Sequence, residues 1–232
     1  MRTTGWAWTD HMGRERYNGH PPMTRVIKAG TELHRISSSK SKHSPNSFNH
    51  AEPLSLDDEF QGRFEPTDRS HGGYLYVAES ITGAVAEGIL RRSRLPAGGF
   101  VRRTLLADKA HTVMVLERDV EVAVLMDGGL PILGLTSAIS SCFEEDYAWS
   151  RTTCHRILDV AADTDGVVYR CRHNAAETAL MLLDRHELDS SALRIVSSCD
   201  ILTDRGTREQ VLKVLKETFG LQYAGAGGAR RV

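Results

Sequence analysis

The sequence is notable first for what is missing. Its 232 residues hold four cysteines, none in a C-x-x-C pair and none alternating with histidine at zinc-finger spacing, which removes the disulfide scaffold and the structural zinc module from consideration. A chain of this length buries roughly 70% of the surface its unfolded form exposes. It needs no covalent staple, and Cys142, Cys154, Cys171 and Cys199 read as reduced thiols. Cys154-His155 and Cys171-x-His173 lack a second close pair to complete a tetrahedron, so no metal is expected. Nor is there a surplus of either charge: 29 basic residues stand against 30 acidic ones, a net of −1. Such a balance argues against nucleic acid or an anionic membrane as partner. No apolar run approaches the roughly 18–20 residues that span a bilayer, and Met1 to Trp6 lack the apolar core of a signal peptide; the expectation is a cytoplasmic protein. The P-loop, G-x-S-x-G, H-E-x-x-H and G-x-G-x-x-G motifs are absent too, and with them the strongest signals of the common nucleotide-binding and hydrolase classes.

What is present is patterned in pieces. Residues 1–28 are polar and turn-rich, with Trp6, Trp8 and Tyr17 at no regular period, and read as an N-terminal arm. From Ala29 to Ser70 the chain is rich in Ser, Asn, His, Asp and Pro and reads as a long loop. Tyr74 to Val77 is a short strand. It runs into a helix capped by Ser80, whose Ile81, Val85 and Ile89 form one buried stripe and whose Glu87 falls off that stripe, near Ala84 and Arg91. Further strands are expected at Thr112–Leu116, Val120–Met126, Gly166–Tyr169 and Arg194–Ser198, and a helix at Tyr147–Ala161. Ala176–Leu183 fits helix or strand. A last helix, Thr207–Phe219, has a capping box at Thr207-x-x-Gln210 and a stop at Gly220; residues 223–232 form a loose Gly/Ala/Arg tail. Strands and helices mix without strict βαβ alternation, which predicts a single α+β domain over residues 29–222.

Four of these segments taken together resemble a known family, the RES domain. Leu33-His34-Arg35 is similar to its opening arginine motif, and Phe48-Asn49 followed by Gly62-Arg63-Phe64 to its Asn/Gly-Arg-aromatic loop. Tyr76 and Glu87 match its strand–helix unit, including the spacing of eleven. Asp165 to Arg172 resembles its final strand, except that Cys171 stands where the family has serine. The resemblance runs from Thr31 to Arg185. It implies a fold related to ADP-ribosylating toxins and a bacterial enzyme that degrades NAD, the toxin half of a toxin–antitoxin pair. Such an enzyme cleaves the nicotinamide–ribose bond and passes the sugar to phosphate or water. NAD is then a substrate and no cofactor is expected; a separate antitoxin protein and a homodimer are the implied partners. Two alternatives stay open: a protein ADP-ribosyltransferase, and an impaired NAD-binding module in which the change to Cys171 marks lost catalysis.

The residue chemistry is compatible with that resemblance. Breaking a ribosyl–nitrogen bond builds oxocarbenium-like charge on the sugar, which a nearby carboxylate stabilises more in the transition state than in the ground state. Glu87 is the candidate. Arg35 offers a planar fork to the pyrophosphate, with Arg63 as a second. Tyr76 would present its ring to nicotinamide or its hydroxyl to ribose, and Cys171 would be a polar contact in the pocket wall. Each has an ordinary alternative: Arg35 as a surface ion pair, Glu87 as an exposed i,i+4 partner of Arg91, Tyr76 as a core aromatic, Cys171 as a small buried hydrophobe. His34, His43, His50 and His71 crowd the loop-rich region as polar loop residues. Arg91-Arg92-x-Arg94 and Arg102-Arg103 read as a solvated helix end.

Overall fold

A computed structural model describes residues 13–50, 62–91, 95 and 99–224; Trp6, Trp8, Arg92, Arg94 and most of the expected tail lie outside them. The described residues form ten strands and six α-helices, without strict alternation, in chain order. They are β1 (Thr24–Ile27), β2 (Glu32–Ser38), β3 (Tyr74–Ala78), α1 (Ile81–Gly88), β4 (Phe100–Arg102), α2 (Arg103–Leu106), β5 (Lys109–Leu116), β6 (Val120–Leu125), α3 (Gly129–Ile132), α4 (Ala138–Ser141), α5 (Tyr147–Val160), β7 (Gly166–Cys171), β8 (Asn174–Leu183), β9 (Leu193–Asp200), α6 (Arg205–Glu217) and β10 (Gln222–Ala224). Eight strands form one mixed sheet in the order β1-β6-β7-β8-β3-β2-β5-β9, while β10 and β4 pair separately. Every neighbouring pair in the large sheet is antiparallel except β6–β7. This is the expected α+β class.

The pleat sorts the side chains into two cores. On β8, Ala179, Met181 and Leu183 join the helix-covered core with α1, α5 and α6, whereas Leu180 and Leu182 join a second core on the opposite face, which includes Leu33, Leu75, Val77 and Met114. A strand buried on both faces shows no alternation of polarity, which is why Ala176–Leu183 fits either element by pattern alone. The same alternation puts Tyr76 on β3, and Tyr169 and Cys171 on β7, against the helix-covered face.

Four expectations are corrected. The loose tail expected from residue 223 begins later, since Tyr223 and Ala224 belong to β10 and pair with Val101 and Arg102 of β4. Thr24–Ile27, placed in the arm, is an edge strand paired residue by residue with Val120–Ala123. Glu32–Ser38, placed in the long loop, is a central strand whose seven residues all pair with β5. Both are short on apolar residues because one is an edge and the other borders a cleft, so the period-2 signal is diluted. The last helix begins at Arg205, and its cap is Asp204, whose carboxylate accepts from Thr207 N at 2.7 Å; the Thr207 capping box does not form. Gly220 does stop it, at φ +64° with its N–H on Lys216 O.

Candidate active site

The sheet is split where β2 leaves β3. The two strands share a single register pair, His34 with Ala78, after which Tyr74 pairs with Asn49 instead. The fork so created opens a cleft of about 610 Å³ between the diverging strands and the end of α1. Helix α1 is fixed over it from both ends. Ser80 Oγ accepts from Gly83 N at 2.9 Å at the N-terminus, as the sequence predicts, and Gly88 lies so close to β2 that a Cβ there would stand 2.7 Å from Ile36 Cβ.

Arg35, Tyr76 and Glu87 all line this cleft, although they are separated by up to 52 positions in the chain. Arg35 Nη1 donates to Pro45 O at 2.6 Å, and burial pushes its pKa down to about 10. Arg35 and Ser37 are also the shared wall of a second, neighbouring hollow of about 850 Å³, rich in serine and bounded by Phe48, Asn49 and His50. The Tyr76 hydroxyl accepts from Phe64 N at 3.0 Å, and burial, then the Glu65 carboxylate, raise its pKa well above the ordinary tyrosine value. Glu87 is 11% exposed; its Oε2 accepts from Arg63 Nη2 at 2.5 Å and from the Tyr169 hydroxyl at 3.3 Å. Its Oε1 has no hydrogen-bond partner among the described residues. A buried carboxylate held through one oxygen and unbonded at the other keeps one acceptor position for a cationic or hydroxyl-bearing ligand, reached once the side chains covering it shift.

Arg63 and Cys171 stand elsewhere. Arg63, expected on the pyrophosphate, is 1% exposed and is not among the residues lining this cleft; it holds Glu87 and donates to Ser140 O. Burial opposes its charge, but the Glu87 carboxylate more than offsets this and the pKa is raised. Cys171 is also 1% exposed and borders a separate hollow of about 440 Å³ with Ser140 and Arg172. Burial first, then Glu87, push its thiol far above the range of a reactive cysteine. That environment leaves a core contact, its Sγ 4.0 Å from Gly83 O, in place of the polar contact expected in the pocket wall.

The sequence reading passed over several groups that share the site. Arg91, expected to pair with Glu87 along an exposed helix, lies beyond the end of α1 and turns to the Tyr76 ring at 6.0 Å. Lys109 donates to Gly88 O at 3.0 Å; burial, then Arg91, lower its pKa. Both line the cleft, so its walls carry Arg35, Arg91 and Lys109 against Glu87, the one carboxylate among its described lining residues. Glu65 is 8% exposed, and burial raises its pKa although Arg91 pulls the other way. His34, on the cleft wall, stacks on His111 with Nδ1 3.1 Å from His111 Nε2. No spacing rule connects residues 65, 91, 109 and 111 to a motif. Only the Gly62-Arg63-Phe64 motif hinted that this loop enters the site.

The family model described as RES domain matches residues 32–202, which includes every residue of the cleft. No curated protein matches the chain. Among solved structures, the crystal structure of the M. tuberculosis MbcT-MbcA toxin-antitoxin complex contains a chain similar in fold, with a TM-score of 0.50 and 16% identity, over 79% of this chain and 90% of that one.

Proposed function

The chain belongs to the RES domain family, and from that premise we propose that it consumes NAD, cleaving the nicotinamide–ribose bond with phosphate or water as acceptor. The observation that carries the reading is the forked cleft, with one half-free carboxylate set among three cations. A dinucleotide spanning the two adjoining hollows would lay its pyrophosphate against their common wall, where Arg35 stands. Its nicotinamide riboside half would then lie in the fork beside Tyr76, under Glu87 Oε1. As the glycosidic bond lengthens, its electron pair moves onto the nicotinamide nitrogen, which leaves neutral, and positive charge grows on the sugar. Glu87 opposes that charge. Arg63 and Tyr169 hold its other oxygen and so fix the carboxylate's orientation, while the side chains that bury Oε1 shift to admit the sugar. Arg91 and Lys109 are the groups to hold an anionic acceptor, whose oxygen would form the new bond at the anomeric carbon. By likeness to the toxin–antitoxin complex, a separate antitoxin protein is the proposed macromolecular partner.

The test is incubation of the purified chain with NAD, with and without inorganic phosphate, followed by chromatographic separation of the products. Nicotinamide with a phosphorylated ADP-ribose is expected when phosphate is present. Free ADP-ribose would name water as acceptor, and label transferred to added protein would name a transferase. No nicotinamide under any condition would overturn the catalytic reading.

A further inference from the structure

A second group of side chains converges between α5 and the segment that runs from Arg63 and Glu65 to β3. His155 and Asp159 are four residues apart on α5 and so share one face of it. Facing them are Asp68 and His71, the latter in the 3-10 turn Arg69–His71 just before β3. His71 Nε2 stands 3.2 Å from Asp159 Oδ1, and His155 Nε2 stands 3.9 Å from the same oxygen and 3.7 Å from Asp68 Oδ2. The two rings meet edge to face with centroids 4.6 Å apart. His71 is 6% exposed, yet its Nε2 makes no hydrogen bond among the described residues, the Asp159 approach being poorly directed. A buried ring nitrogen aimed at a carboxylate but not bonded to it calls for another partner.

We propose that His71, His155 and Asp159 bind a divalent transition-metal ion of the zinc type, the fourth position being left to water. A tetrahedral centre with bonds of 2.0–2.1 Å has ligand-to-ligand edges of about 3.3 Å; His71 Nε2 and His155 Nε2 lie 3.2 and 3.9 Å from Asp159 Oδ1, and the ligand atoms of the three residues all lie within 4.8 Å of one another, so small side-chain rotations reach it. The donor set, two imidazoles and one carboxylate, suits zinc over calcium or magnesium, which want oxygen alone. Asp68 and Asp159 are more than half exposed, giving the ion a path in. Binding at His71 Nε2 leaves the ring proton on Nδ1, so the present contact from Arg185 Nη1 at 3.2 Å must open. The guanidinium keeps its bonds to Thr164 O, Thr164 Oγ1 and Ala161 O. The consequence reaches the cleft. Helix α5 already holds the loop through Ser150 on Arg63 O and Arg151 on Gly62 O, and a metal would pin the loop's other end to the same helix.

This inference does not rest on the NAD reading, and its test does not use activity. The full chain, stripped with chelator, is titrated calorimetrically with zinc, and cobalt is used as a spectroscopic substitute. One equivalent is expected, with the intense ligand-field absorption of a tetrahedral cobalt centre and a melting temperature raised by roughly 5–10 °C at a hundredfold excess over Kd. Affinity falls at least tenfold in H155Q and in D159N, each checked for native circular dichroism. No stoichiometric binding, or binding undiminished in both variants, overturns the proposal. Should a variant not fold, a weak octahedral cobalt spectrum in the wild type does so by itself.

Discussion

Arg63 and Glu87 form an ion pair almost wholly out of water, with the arginine 1% and the glutamate 11% exposed. Removing one partner leaves the other charge uncompensated, so R63M should destabilise the fold by about 3–5 kcal/mol, read from the midpoint of urea unfolding. A midpoint unchanged from wild type would mean that the pair contributes nothing. Cys171 gives the opposite expectation. It faces Gly83 O and a hollow separate from the cleft, so C171S should alter the rate of nicotinamide release by less than about threefold, the effect of one marginal hydrogen bond; a large gain would restore the pocket-wall role expected from the sequence. At this scale the sequence was legible where a residue type announces its chemistry. Arg35, Tyr76 and Glu87 do meet around one cleft. It was illegible where partners are distant. The i,i+4 rule offered Arg91 to Glu87, whereas the structure supplies Arg63, 24 positions away, because the loop carrying Arg63 folds under α1.

Helix α1 is the element on which the site depends, since it delivers Glu87 and closes the fork. Gly88 is its contact with β2, and in G88A the new methyl would meet Ile36 Cβ at 2.7 Å and Ile36 O at 2.8 Å. The helix must lift, and overpacking of this kind costs about 1–3 kcal/mol. Both a lower melting temperature and a rise in KM for NAD are expected, because the cleft wall moves with the helix; a variant with wild-type KM would show that α1 does not set the cleft. Elements with strong local signals were read correctly, α1 from its Ser80 cap and stripe, β3 from its β-favouring run. Strand β2 was not, since His34, Arg35, Ser37 and Ser38 replace the apolar residues that a central strand ordinarily shows. Those polar positions are there because β2 borders a cleft for most of its length. The feature that hid the strand is the feature that makes the site.

Across the whole molecule, several imidazoles are held neutral by burial. His111 is lowered to about 4, chiefly by burial and then by His34, and His34, His71 and His173 are lowered as well. For His111 the folded value lies below the unfolded one of about 6.5, so the unfolded chain binds more protons between pH 6.5 and 4. Stability is therefore full above pH 6.5 and declines as the pH falls towards 4. Urea midpoints measured from pH 7.5 to 4.5 should fall accordingly, with H111N flattening the profile; a flat wild-type profile would deny that these histidines are buried neutral. The fold class was legible from the mixture of elements, but the split in the sheet was not, because nothing local marks where two strands cease to pair. The account turns on what that split holds. Its most direct test is the rate of nicotinamide release from saturating NAD by the wild type and by E87Q, with NAD affinity measured calorimetrically for each. The account predicts that E87Q binds NAD within a few fold of wild type and releases nicotinamide roughly 100- to 1,000-fold more slowly. Equal rates in the two proteins would contradict it.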